Sequence, residues 1–222
     1  MPHLHRLQAK AATPLEGRLL PVLIEALHPT QITVGFREVA EKRRRYRNAV
    51  AGGRLNRFPR RPTPIVLGPG GQAFVLDGHH WLRALSEEGV REVLACVVDD
   101  LSGGDGDGFW PVLDSRGWCH PFDADGRRQG YDAIPETVEL LGDDPFRSLA
   151  SALRRDGGFA KDDTLFSEFH WADHLRRHVD PSLVEQDFDR ALAAALELAR
   201  HFTPASQIGG QGPRAVSHVQ VM

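Results

Sequence analysis

Cysteine is scarce in this chain of 222 residues, which carries only Cys96 and Cys119. Two cysteines make neither a disulfide framework nor a Cys-based zinc site. Cys96 sits inside an apolar strand pattern and reads as core. Long apolar runs are missing too. No stretch reaches the roughly 18 residues that a membrane helix needs. The first twenty residues mix His, Arg, Lys and Pro without an apolar h-region, so they do not read as a secretory signal. A cytoplasmic location is the expectation. The net charge of −3 leaves no excess of positive charge for a chain-wide nucleic-acid surface. Charge is nevertheless uneven. Segment 37–61 holds ten Lys/Arg (Arg37, Lys42, Arg43, Arg44, Arg45, Arg47, Arg54, Arg57, Arg60, Arg61) against Glu38 and Glu41. That is +8 locally and −11 for the rest of the chain, a patch sufficient for a bound anion or, alternatively, for nucleic acid.

Glycine and proline, by contrast, punctuate the chain clearly. Residues 1–18 read as a flexible N-terminal arm and 19–27 as a first strand, with Pro21 near its start where proline is tolerated. After the turn His28-Pro29-Thr30, residues 31–34 are extended. Phe36, Val39, Ala40, Arg43, Tyr46 and Val50 recur at helical spacing, so a helix covers 36–51 and stops at Gly52-Gly53. Residues 54–64 form a basic loop. A hairpin then follows, with strands 64–67 and 72–76 around Gly68-Pro69-Gly70-Gly71. Residues 93–98 read as a buried strand. Strand, helix and strand across 72–98 suggest a βαβ unit, while the hairpin points to a mixed sheet. The acidic stretch 99–108 lacks the closing glutamate of a calcium loop and reads as a flexible loop. Residues 109–131 look irregular.

The second half reads as helical. Asp144-Pro145 and Asp180-Pro181 carry the cap-plus-proline start signal, and Asp162 or Asp163 caps a helix between them. Val184, Phe188, Ala191, Leu192, Ala195, Leu198 and Phe202 form one long stripe. The expected architecture is α/β (α+β). A small mixed sheet with packed helices spans 19–131, a helical portion packs on it over 132–202, and a disordered tail covers 203–222.

The chain is organised around Asp77-Gly78-His79-His80-Trp81-Leu82-Arg83-Ala84-Leu85. An apolar strand stops at Asp-Gly and an amphipathic helix begins at once. Trp81, Leu82, Ala84 and Leu85 are expected to face a core, with His79, His80 and Arg83 on the exposed first turn. A strand, a glycine turn and a helix N-terminus form a ready anion site, because N–H groups and the helix dipole point to one place. Gly78 lets a backbone approach phosphate, or simply supplies a positive φ. His79 and His80 are candidates to donate to a phosphate oxygen or to act as acid and base. Arg83 is a candidate fork for phosphate. Lys42 and Arg43 are further cationic candidates, and Glu38 and Glu41 are candidate acceptors for a hydroxyl proton.

The order of these segments resembles the ParB/sulfiredoxin superfamily, and more closely the ParB-like nuclease family of stand-alone bacterial proteins. The matching stretches are Pro29-Thr30-Gln31-Ile32-Thr33-Val34-Gly35 with Glu38-Val39 and Lys42, then Val66-Leu67-Gly68-Pro69-Gly70-Gly71. Asp77-Gly78-His79-His80 with Arg83-Ala84-Leu85 also matches. So do Asp144-Pro145-Phe146-Arg147-Ser148-Leu149-Ala150, and Glu168-Phe169 with Trp171-Ala172-Asp173 and Leu175-Arg176. The resemblance implies that the turn from Gly78 to Arg83 meets the phosphates of a nucleotide or another phosphorylated small molecule, with Mg²⁺ as a candidate companion. It also implies phosphoryl transfer or phosphodiester cleavage as candidate chemistry. The partitioning-protein box Gly-Glu-Arg-Arg-x-Arg-Ala has arginines where this chain has His80 and Trp81, so CTP itself is not implied. The sulfiredoxin box has a cysteine where this chain has Asp77, and its redox chemistry is not implied either.

Two metal readings are weaker. His170, His174 and His178 share a helical face, a spacing that offers Zn²⁺ two ligands, but no glutamate follows His170 as the metalloprotease motif requires. Asp77, His79 and His80 are neighbours at a helix start, where side chains diverge. No metal is assigned. The leading expectation is a protein binding a nucleotide or phosphate ligand. The alternatives are a nucleic-acid-binding or nuclease-like protein using 37–61, and a non-catalytic binding module. No membrane partner is expected.

Overall fold

A computed structural model of the chain describes residues 17–53, 61–104, 106–159 and 167–201. Residues 54–60 of the loop expected over 54–64, the cap at Asp162 or Asp163, most of the N-terminal arm and the tail from 203 lie outside the described residues.

The chain begins with β1 (Leu19–Leu23). A single 3-10 turn (Ile24–Ala26) then carries it to β2 (Leu27–His28), at the opposite edge of the same sheet. The one strand expected over 19–27 is therefore two. Ile24 is buried at the crossing, and its amide donates to the Arg91 carbonyl. The short β3 (Thr33–Val34) leads into α1 (Phe36–Ala51), a helix whose bounds agree with its periodicity. β4 (Thr63–Leu67) and β5 (Ala73–Val75) form the expected antiparallel hairpin, and α2 (His79–Glu87) follows.

β6 (Glu92–Asp100) completes a five-stranded mixed sheet of order β1-β6-β4-β5-β2. It pairs parallel with β4 and antiparallel with β1, and it does not pair with β5. The strand–helix–strand passage is thus no simple βαβ unit, because β5 and α2 together form the crossover from β4 to β6. Nor is β6 buried on both faces. Val93, Ala95 and Val97 point into the core, whereas Leu94 and Val98 are exposed.

Side-chain alternation divides the sheet between two cores. Ile65, Val75, Val93, Ala95 and Val97 pack with Val39 of α1 and with Leu82 and Leu85 of α2. On the other face, Val66 and Phe74 meet Phe109 and Leu113 of α3 (Gly106–Ser115). This helix lies where an acidic loop and irregular chain were expected. Its glycine-rich start and the internal Pro111 hide the period, and its stability comes from burying Phe109 and Leu113.

β7 (Gly142–Asp143) pairs parallel with β3 and delivers the chain to α4 (Pro145–Arg155). Pro145 pre-sets the first turn, and the Asp144 carboxylate accepts from the amides of Phe146 (2.9 Å) and Arg147 (3.4 Å). Residues 146–153 are all buried, so α4 is a central helix covered on every side over these two turns. Around it pack α1, α5 (Ser167–His178), α6 (Pro181–Gln186) and α7 (Phe188–His201). The single stripe expected over 184–202 is split between α6 and α7. Asp187 ends α6 and accepts from the Arg190 amide of α7, capping it.

The sheet half and the helical half meet at Gly35. A β-carbon built there would lie 2.6 Å from the Ser148 amide nitrogen and 2.9 Å from its Cα. Both are backbone atoms, which cannot rotate away. Gly35→Ala is therefore expected to destabilise the fold by about 2–3 kcal/mol. Urea unfolding measures this, and a midpoint unchanged from wild type would show that the two halves do not meet so closely.

Candidate functional site

β5 leaves the sheet at Leu76, whose amide donates to the Pro64 carbonyl. Asp77 is exposed, and its Oδ1 accepts from the Gly78 amide at 2.7 Å. Gly78 is left-handed (φ 95°, ψ 12°), a conformation a side chain strains, and the space where its β-carbon would stand is open. From this turn α2 starts without a side-chain cap. The dipole and the leading amides of His79 and His80 thus stand at the mouth of the β5–α2 turn.

The two histidines are not on an exposed turn, as expected from the helical pattern. Both are buried. Their rings reach under the segment between β2 and α1 and hold it. His79 Nε2 accepts from the Thr30 amide at 3.1 Å, and His80 Nε2 accepts from the Gly35 amide at 3.0 Å. A ring that accepts at Nε2 is neutral and keeps its proton on Nδ1. Burial, reinforced by the positive charge of Arg147, lowers the pKa of His79 to about 3 and that of His80 well below the usual imidazole range. At neutral pH neither ring is poised to give up a second proton as a general acid. Thr30 extends the network. Its hydroxyl donates to the Val75 carbonyl at 2.6 Å, and its own carbonyl accepts from the His120 amide at 2.8 Å.

The other candidates are placed as follows. Arg83 donates from Nη1 to the carbonyls of Glu139 (2.6 Å), Leu141 (3.1 Å) and Val138 (3.3 Å), and from Nε to Glu87. It thus closes a 3-10 turn (Val138–Leu140) onto α2. Glu38 is buried and carries Lys42 at 2.7 Å together with Arg155 of α4. Glu41 takes Arg44 and Arg45 of its own helix. Arg43 and Arg47 grip Glu87 and Glu88 at the end of α2, and their hydrogen bonds hold the Glu88 carboxyl down to about 2. Arg37 stacks over Phe188 at 4.4 Å. The described cations of the basic helix are thus met by acids or a ring of the same chain.

The residue that composition and periodicity passed over is Arg147. It is fully enclosed at the start of α4 with its guanidinium 3.2 Å over the Phe169 ring of α5. Its Nη2 lies 3.9 Å from Glu168, whose carboxylate also takes Arg154 and the Ser151 hydroxyl. Among the described residues, Arg147 Nε and Nη1 have no hydrogen-bond partner. Burial pulls its pKa to about 10, while Glu168, Asp144, Asp77 and Asp173 work to keep it charged. Its charge acts in turn on His79, His80 and His120. His120 packs against the same Phe169, the rings tilted by 46° with centroids 3.7 Å apart, and burial takes its pKa to about 3. Arg176 ties the ensemble together by bonding Asp144, Asp173 and the Ala124 carbonyl.

No group of three or more His, Cys, Asp or Glu among the described residues is arranged to hold a metal ion. His178 Nδ1 bonds the His174 carbonyl, and the two rings stand 4.3 Å apart. No described helix is long and apolar enough to cross a membrane.

A family profile described as "Putative ParB-like nuclease" matches residues 20–177, most of the chain. The chain belongs to the ParB-like nuclease family. Its solved relatives include protein Atu1540 from Agrobacterium tumefaciens, 46% identical with a TM-score of 0.76, in a match covering 83% of this chain and 95% of that one. A conserved hypothetical protein from Pyrococcus furiosus matches 39% of this chain and 35% of its own, at 16% identity and a TM-score of 0.30. No curated protein matches. The ParB-like segments quoted from the sequence are the ones that converge here: the stretch from Pro29 to Gly35, the turn from Asp77 to His80, and the start of α4.

The three neutral histidines make acid stability a direct test. In the unfolded chain each titrates near pH 6.5, whereas folded His79 and His120 titrate near 3. Between those values the unfolded state binds more protons. Stability is therefore complete above about pH 6.5 and falls as the pH drops toward 3, by about 1.4 kcal/mol per pH unit per histidine. Urea midpoints between pH 7 and 4.5 should fall steadily, and less steeply in His79→Gln, which keeps an acceptor but does not titrate. A flat wild-type profile would contradict the buried neutral rings.

Proposed function

We propose that this ParB-like protein binds a phosphoester at the β5–α2 turn, with the phosphoryl group seated on the first amides of α2. The observation that carries this reading is the coincidence of an α2 start lacking a side-chain cap, opened by left-handed Gly78, with the positive charge of Arg147 acting on the same two histidines. Dipole and guanidinium both favour a negative group there. The ligand is a nucleotide or another phosphorylated molecule, and phosphoryl transfer or phosphoester hydrolysis is the associated chemistry. In this reading His79 and His80 serve as positioning residues. They hold the Thr30–Gly35 backbone against the turn through their Nε2 atoms. Lys42 and Arg43 contribute field rather than contacts, since Glu38, Glu87 and Glu88 hold their charged groups.

The family description favours a second reading in which the phosphoester belongs to nucleic acid. It differs in its salt dependence, because a strand contacting several phosphates loses affinity steeply as salt rises. Pairing of the α1 cations with Glu41, Glu87 and Glu88 weakens that electrostatic contribution.

Thermal shift with nucleoside mono-, di- and triphosphates and a short oligonucleotide, each with and without Mg²⁺, tests the reading. A ligand at about 100 times its Kd is expected to add about 2.7 kcal/mol of stability and raise the melting temperature by several degrees. Gly78→Ala is expected to reduce that rise, since a side chain strains the left-handed turn that aims the α2 amides. No shift with any member of the panel would remove the reading.

A further inference from the structure

Arg147 presents a problem that the fold alone does not solve. A guanidinium carries five N–H donors, one on Nε and two on each Nη. Here Nε and Nη1 are enclosed and, among the described residues, lack any acceptor. Buried donors without partners are rare in native proteins, and each one signals strain, a water or a bound group. The surrounding carboxylates do not supply the missing acceptors. Asp144 is committed to Arg176 and to the α4 amides, Asp173 to Arg176, Glu168 to Arg154 and Ser151, and Asp77 to the Gly78 amide. With Arg154 and Arg176 beside Arg147, four carboxylates stand against three guanidiniums, so the setting is already near balance while Arg147 Nε and Nη1 go unused. A ligand that completes the site must therefore bring acceptor oxygens but little negative charge. Nearby side chains fit that demand, because His79 and His80 are neutral rings already engaged at Nε2.

We infer that Arg147 grips the non-bridging oxygens of a phosphodiester, a group with several acceptors and a single charge. The inference rests on the phosphoester reading of the β5–α2 turn and adds to it the residue that binds and the charge class of the ligand. A monoester dianion or a triphosphate carries more charge than this near-balanced set of four carboxylates and three guanidiniums offsets. Phe169 lies under the guanidinium and Glu168 stands beside it, so the first turn of α5 walls one side of the site.

Arginine side chains can be followed by NMR through their Nε–H resonances, and a buried Nε–H exchanges slowly enough to be seen. The Arg147 resonance is identified by its loss in Arg147→Lys. Should that variant not fold, contacts to the Phe169 ring protons in the wild-type chain identify it instead. The full chain is titrated with the dinucleoside monophosphate TpT, a phosphodiester, and in parallel with thymidine 5′-monophosphate. TpT is expected to move the Arg147 Nε–H and the main-chain amides of His79 and His80 together. It should bind more tightly than the monophosphate and weaken about tenfold or more in Arg147→Lys. If the α2 amides respond but Arg147 does not, or the monophosphate binds more tightly, the Arg147 assignment falls while the turn reading stands. If Arg147 responds and the α2 amides do not, the turn reading falls. Absence of any response to either ligand overturns both.

Discussion

The interaction on which the rest of the structure depends is the landing of the β3–α1 corner on the start of α4. The Asp144 amide donates to the Val34 carbonyl, the Arg37 amide donates to the Ser148 hydroxyl, and the Gly35 amide donates to His80. One short backbone segment thereby joins the sheet, α2 and the central helix. Only glycine fits at its middle, because Ser148 occupies the place of a β-carbon. Arg147, the residue before Ser148, is carried into the interior by the same approach, where its charge acts on the histidines held by that segment. The polar interior is thus a consequence of how the two halves of the chain are joined.

A buried arginine beside neutral imidazoles is costly unless something offsets it. Removing a guanidinium from water costs several kcal/mol even when acids stand nearby, and unpartnered donors add to that cost. Proteins keep such arrangements mostly where they are used, although structural ion networks also perturb titration. The site here has the elements of an oxyanion receptor: a helix start, an enclosed guanidinium and a wall of neutral rings. Its two α2 histidines are not ready to give up a proton at neutral pH, since both are held neutral and bonded through Nε2.

Much of this fold was legible in the sequence because local rules agreed with tertiary packing. The periodicity of α1, the hairpin around Gly68 to Gly71, the αL glycine before α2 and the Asp-Pro start of α4 each have a mechanism that acts over a few residues. Features set by distant contacts were not legible. The chain divides 19–27 between opposite sheet edges because β6 and β5 wait at those edges. α3 forms over a glycine- and proline-bearing stretch because Val66 and Phe74 need cover. The site divides the same way. Gly78, His79 and His80 stand out as a strand-to-helix turn, but their burial depends on Thr30 and Gly35, which are remote in sequence. Arg147 reads as an ordinary charge in the first turn of a helix until α5 lays Phe169 beneath it. His120 lies in a stretch with no period at all, and the backbone bond to Thr30 is what brings it in.

The most direct test of an oxyanion receptor between α2 and α4 is a crystal structure of the full chain soaked with the phosphoroselenoate analogue of TpT, a singly charged diester, and measured at the selenium edge, where anomalous scattering locates the selenium without ambiguity. An anomalous peak within hydrogen-bonding distance of Arg147 and of the His79 and His80 amides is the predicted result. The analogue bound only at the surface cations of α1, with water alone beside Arg147, would contradict it.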